Sequence, residues 1–119
     1  MTYKLIFDDI WIKQIKKIDK SLLTKISKAL DRLEKDPFNV GKKLRYTKGR
    51  LRELRVGPFR IYFTIVDKTV EISSPIILIL KLGHKDEQKK IINKLNLELN
   101  NKIKKATDKI KLIFLIFLL

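Results

Sequence analysis

The sequence predicts an α+β domain: an N-terminal strand and helical hairpin packed on a four- to five-stranded antiparallel sheet, followed by a C-terminal helix. Three observations predict it. Two amphipathic stripes of helical spacing lie before residue 36, stretches with the period of a sheet follow between residues 43 and 82, and a helical stripe resumes after Gly83. Strands and helices in blocks, rather than in alternation, place helices against one sheet face.

Residues 3–7 (YKLIF) are apolar and aromatic and read as the first strand. Asp8 and Asp9 then supply an N-cap and negative charge for a first helical turn. Trp11, Ile15 and Ile18 share one face of a helix over about residues 10–18, and residues 19–21 break or cap it. Leu22, Leu23, Ile26, Leu30 and Leu33 carry a second helix, which stops before Pro37 because proline disfavours helical geometry in the preceding residue. Two adjacent helices of this kind predict a helical hairpin.

Residues 39–41 read as a loop and Lys48-Gly49 as a turn. Residues 43–46, 51–56, 59–66 and 76–82 read as strands. Phe59, Ile61, Phe63 and Ile65 alternate with Arg60, Tyr62, Thr64 and Val66, the period of a sheet. Gly57-Pro58 fits a tight hairpin, Asp67-Lys68 a second turn, and VEISSP at 70–75 either prolongs a hairpin or bulges as a loop. After Gly83, Ile92, Leu95, Leu99, Ile103, Ala106, Ile110, Ile113 and Phe117 recur at helical spacing, in one long helix with a break expected near Asn100-Asn101.

A chain of 119 residues allows one compact domain. It has no cysteine, which excludes disulfides, thiolate metal sites and a cysteine nucleophile, and its single histidine, His84, cannot build a histidine-rich metal site. The first residues, MTYKLIFDD, lack the basic start and apolar run of a signal peptide, and the longest apolar run, residues 112–119, is too short to span a bilayer. A cytoplasmic protein with no membrane span is expected.

Charge is the strongest compositional signal. Twenty-eight Lys+Arg against 13 Asp+Glu give a net charge of +15, which attracts polyanions, nucleic acid first among them. The arginines cluster. Lys42, Lys43, Arg45, Lys48, Arg50, Arg52, Arg55 and Arg60 stand against one acid, Glu53. Guanidinium groups present planar forks of donors suited to phosphate oxygens. Alternate strand residues share a face, so Arg52 points opposite Arg55 and the cluster cannot all lie on one surface. The plain alternative is a charged sheet edge that deters aggregation.

The segment LRELRVGPFRIYFTI, residues 51–65, resembles the central sheet of RelE/ParE-superfamily toxins, with a leucine–arginine pair, a short glycine turn and an aromatic–arginine–aliphatic strand. In ILILKLGHKDEQKKIINKL, residues 77–95, Lys85 and Gln88 stand where the HigB-like addiction-module killers have a lysine- and glutamine-containing end to the last strand. KLR at 43–45 is similar to the start of a RelE strand. The resemblance covers about residues 1–97 and leaves 98–119 as a helical extension with an apolar tail.

That resemblance implies a microbial-ribonuclease-like fold and a toxin of a type II toxin–antitoxin system. The implied activity is ribosome-dependent cleavage of messenger RNA in the A site, by 2′-hydroxyl attack without metal or cofactor. The implied partners are a cognate antitoxin, the ribosome and mRNA. Such chemistry needs a base for the hydroxyl, cations for the developing phosphorane charge and an acid for the leaving oxygen. Carried over by position, Arg60 would stabilise the transition state, Lys85 would hold a phosphate, His84 would serve as acid or base, and Glu53 as base or ion-pair partner. Arg45, Arg52, Arg55, Lys43 and Gln88 would bind RNA.

The sequence departs from RelE in having no tyrosine from Lys85 to Ile92, and in carrying Arg52 and Glu53 where RelE has lysines. A ParE-like inhibitor of DNA gyrase and a catalytically inactive nucleic-acid-binding homologue therefore stand as alternatives. The wholly apolar residues 112–119 (LIFLIFLL) suggest burial, within the chain, in a homodimer through the C-terminal helix or against an antitoxin.

Overall fold

The computed structural model describes residues 3–67 and 75–119. Strand β1 (Lys4–Phe7) leads into helix α1 (Asp9–Ile15), with Asp8 as the expected cap: its carboxylate accepts the Ile10 N–H at 3.1 Å. Helix α2 (Lys20–Lys35) is capped by Asp19, whose Oδ1 accepts the Leu22 N–H at 2.7 Å. It buries Ile26, Ala29 and Leu33, three and four residues apart. Pro37 opens one further turn of helix, α3 (Pro37–Val40), where the sequence suggested only a loop. Proline has no N–H to lose at a first helical position, which permits this restart.

Strands β2 (Lys42–Lys43), β3 (Arg52–Val56), β4 (Phe59–Val66) and β5 (Ile76–His84) complete the sheet. β2 is shorter than expected. After Leu44, whose N–H still donates to Leu51 O at 3.0 Å, the chain enters a tight loop with Tyr46 and Lys48 at positive φ. The β3–β4 hairpin turns on Gly57, whose φ of +57 suits a residue without a Cβ. The expected turn at 67–68 and the VEISSP segment lie outside the described residues, apart from Asp67 and Pro75.

The strand order is β1-β5-β4-β3-β2. β1 runs parallel to β5, so the sheet is mixed rather than wholly antiparallel. The side chain of Gln14 extends this edge, donating to Leu82 O at 2.7 Å and accepting from Leu82 N at 2.9 Å.

A 3-10 turn (Lys85–Glu87) leads into helix α4 (Gln88–Leu118), which runs without a break through Asn100-Asn101. It covers the sheet face opposite the α1–α2 hairpin, so helices lie on both faces and not on one. The reason is written in β5: Ile76, Ile77, Leu78, Ile79 and Leu80 are apolar in succession and all buried, so both faces need cover. One core packs Trp11, Ile26, Leu33, Leu54, Ile61, Phe63 and Ile79 beneath the hairpin. The other packs Leu51, Tyr62, Leu78, Leu80, Ile91, Leu95 and Leu99 beneath α4. A Cβ on Gly83 would meet the end of the Ile91 side chain and crowd the Tyr62 ring, so Ile91 of α4 packs directly over the glycine.

Lys102 donates to Asp8 at 3.0 Å, and Lys105 and Lys109 to Asp9 at 2.6 and 3.4 Å, clasping α4 to the start of α1. Beyond Ala106 the helix leaves the core. Residues 112–119 are 51–105% exposed, so the tail is not buried within the chain as its composition suggested. Length explains this: 31 residues of helix reach about 46 Å at ~1.5 Å per residue, whereas the nine residues of β5 span only about 30 Å. Among the described residues no helix is long and apolar enough to cross a membrane.

Candidate functional site

Strand register decides which cations meet. β3 and β4 pair Glu53 with Tyr62 and Arg55 with Arg60, and these four side chains share the sheet face that α4 covers. β2 pairs Lys42 with Glu53 at the sheet edge. The first turns of α4 rise opposite, and between them lies an open groove of about 530 Å³. Lys42, Lys43, Arg45, Arg55 and Lys89 line it, with Glu53 as its one carboxylate and Gln88, Asn93 and Asn96 as amides. Leu44, Tyr46 and Ile92 complete the lining.

Glu53 is only 2% exposed. Its Oε2 accepts the Gln88 Nε2–H at 2.7 Å and lies 3.9 Å from Arg60 Nε, an ion-pair distance too long for a hydrogen bond. Burying a carboxylate is costly unless it is paired, and Gln88 and Arg60 supply the compensation. Arg60 is itself buried. Its Nη1 donates to Gly57 O at 3.0 Å and Phe59 O at 2.9 Å, so the guanidinium is turned toward the β3–β4 hairpin. Arg60 Nε and the Tyr62 hydroxyl are buried and have no hydrogen-bond partner among the described residues. Burial, with the negative charge of Glu53 added, pushes the Tyr62 phenol up to about 12, against the opposing pull of Arg60.

The remaining residues singled out in the sequence are placed elsewhere. Arg52 pairs with Phe63 on the hairpin face, its guanidinium 5.6 Å from the centre of the Phe38 ring and donating to Phe38 O at 3.3 Å. Burial holds it below the ordinary arginine value. It lines a second, smaller depression of about 190 Å³ with Lys43, Lys48 and Arg50. His84 lies across from Phe59, its ring edge-on at 5.6 Å, and so packs toward the hairpin face while Arg60 points to the α4 face. Its Nδ1 accepts the Asp86 N–H at 3.2 Å. Lys85 is exposed in the 3-10 turn, its N–H donating to Pro58 O at 2.8 Å.

Arg45, Arg55, Lys43, Gln88 and Glu53 are thus brought into one groove with Arg60 behind it, whereas Arg52, His84 and Lys85 are not among its lining. Lys89, Asn93, Asn96 and Tyr46 line it without having been singled out. The first three sit at helical spacing, and that signal becomes readable only once α4 is known to cross this face. Among the described residues there is no group of three or more histidine, aspartate or glutamate side chains arranged to hold a metal ion.

A family model described as ParE toxin of type II toxin–antitoxin system, parDE, matches residues 5–89. No curated protein matches the chain in sequence. Among solved structures, the toxin–antitoxin complex RelBE2 of Mycobacterium tuberculosis aligns with a TM-score of 0.58 at 25% identity, over 71% of this chain and 99% of that one. The isolated RelE toxin of E. coli aligns with a TM-score of 0.57 at 16% identity, over 78% and 98% of the two chains. The RelE–RelB complex of Pyrococcus horikoshii gives 0.53 at 20% identity, over 71% and 97%. The last two likenesses speak for the fold alone.

Proposed function

The chain belongs to the RelE/ParE family of toxins of type II toxin–antitoxin systems, and from that premise we propose that it is an endoribonuclease that cuts messenger RNA in the ribosomal A site and is restrained by a cognate antitoxin. The observation that carries this reading is a single carboxylate, Glu53, at the base of a groove lined by five cationic side chains. Lys43, Arg45, Arg55 and Lys89 grip successive phosphates, and the guanidinium of Arg55 takes up charge on the phosphorane. Glu53 accepts the 2′-hydroxyl proton, the 2′-oxygen attacks the adjacent phosphorus, and the 5′-oxygen departs with a proton from solvent. The products are a 2′,3′-cyclic phosphate and a 5′-hydroxyl. Gln88 and Arg60 act as positioning residues that hold Glu53. Lys85 and Arg52 extend the contact with RNA beyond the groove, and His84 has no part in this scheme.

Two observations favour a second reading, a ParE-like toxin with a protein target: the matching family model is described as ParE toxin, and the Arg60 guanidinium is occupied by hairpin carbonyls and is not part of the groove lining. Adding purified protein to translating ribosomes separates the two. Cleaved message ending in a cyclic phosphate, abolished by Glu53→Gln and reduced at least ten-fold by Arg55→Ala, supports the nuclease. Intact message together with blocked DNA supercoiling supports the protein target.

A further inference from the structure

Resting on the RNA reading above, we infer that Tyr46 is a stacking platform for an unpaired nucleobase of the RNA strand held in the groove. Tyr46 is 94% exposed, and it lines the groove beside Arg45 and Lys43. Its backbone is nonetheless fixed in an unfavourable shape, with φ of +63 and with Lys48 at +56 two residues on. L-residues avoid that region unless their surroundings over-determine it.

Here they do. Buried Thr47 donates through Oγ1 to Leu44 O at 2.9 Å and accepts the Leu51 N–H at 3.3 Å. The Arg50 N–H donates to Thr47 O at 3.1 Å, and Asn96 Nδ2 donates from α4 to Tyr46 O at 3.4 Å. The loop therefore presents a phenol ring to water on a pre-ordered backbone, next to side chains suited to phosphate. Aromatic rings so placed stack bases with little regard to sequence. Across the groove, Asn93 and Asn96 offer amide donors and acceptors of the kind that read base edges. A partner recognised by charge alone would make no use of the ring.

The test uses the full chain and two probes of equal charge: an eight-nucleotide oligouridine RNA and an abasic ribose–phosphate strand of the same length, titrated by fluorescence anisotropy. The wild type is expected to bind oligouridine roughly ten-fold tighter than the abasic strand. Tyr46→Ala removes that preference and leaves both the abasic affinity and the salt dependence unchanged, Tyr46→Phe keeps it, and Tyr46→Trp strengthens it. Thermal melting checks that each variant folds. If Tyr46→Ala keeps the preference, or the wild type has none, the stacking role is wrong while the RNA groove stands. If the wild type binds neither strand, both fall.

Discussion

Glu53 and Gln88 are joined by a hydrogen bond of 2.7 Å that links the second residue of β3 to the first residue of α4. The bond joins two residues of the groove lining and fixes the carboxylate with respect to the surrounding cations. Removing its donor leaves a buried carboxylate with Arg60 alone at 3.9 Å. Gln88→Ala is therefore expected to lower stability by about 1.5–3 kcal/mol in denaturant titration. An unchanged midpoint would mean that the bond does not hold in solution.

The close crossing at Gly83 makes a second prediction. Gly83→Ala presses a methyl group against the end of Ile91 and the edge of the Tyr62 ring and is expected to destabilise by about 1 kcal/mol. Shortening the opposing side chain with Ile91→Val should recover part of that loss. Additive losses in the double variant would show that the added methyl does not meet the end of Ile91.

Tyr62 supplies a pH signature. Its phenol is raised from 10.0 to about 12, chiefly by burial. The neutral form is favoured in the fold, so this contribution to stability is intact below pH 10 and is lost as pH rises toward 12. Phenolate absorbance should show one tyrosine ionising late and together with unfolding, and Tyr62→Phe should remove that late step. A late step that survives the substitution would place the buried phenol elsewhere.

The clasp between α4 and α1 should fail at acidic pH. Hydrogen bonds from Lys105 and then Lys109 hold Asp9 below its ordinary value, and Asp9 in turn raises Lys105. The contribution from Asp9 is present above the usual carboxylate range and is lost as pH falls below it. Amide hydrogen exchange over residues 105–111 should quicken there, and in Asp9→Asn at neutral pH. Protection that is indifferent to both would remove the clasp from the account.

Residues 112–119 touch neither core, so deleting them should leave the melting temperature unchanged. A homodimer formed through this helix would lose its association on deletion, which sedimentation reads directly. A marked fall in melting temperature would show that the tail packs on the body.

The strands and caps were legible because they are local. Asp8 and Asp19 precede apolar stripes, and alternation from Phe59 to Ile65 leaves little choice of register. The side of the sheet covered by α4 is not local information, although unbroken apolarity in β5 carried it. Arg60 and His84 were harder to place. Both lie near the same sheet end, but strand parity sends them to opposite faces, and the carbonyls of Gly57 and Phe59 claim the Arg60 guanidinium. Tyr46 had no sequence signal, since its exposure follows from a loop held by Thr47 and Asn96.

If the groove between β2–β3 and α4 grips the phosphates of a single strand, its lysines and arginines must carry the salt dependence of binding. The most direct measurement is affinity for single-stranded RNA as a function of salt. Each phosphate contact contributes a slope of about −0.7 in log K against log salt. Arg45→Ala, Arg55→Ala and Lys89→Ala are each expected to make the slope shallower by about that amount, while Lys16→Ala, on the hairpin face, does not. Equal slopes for all four variants and the wild type would contradict it.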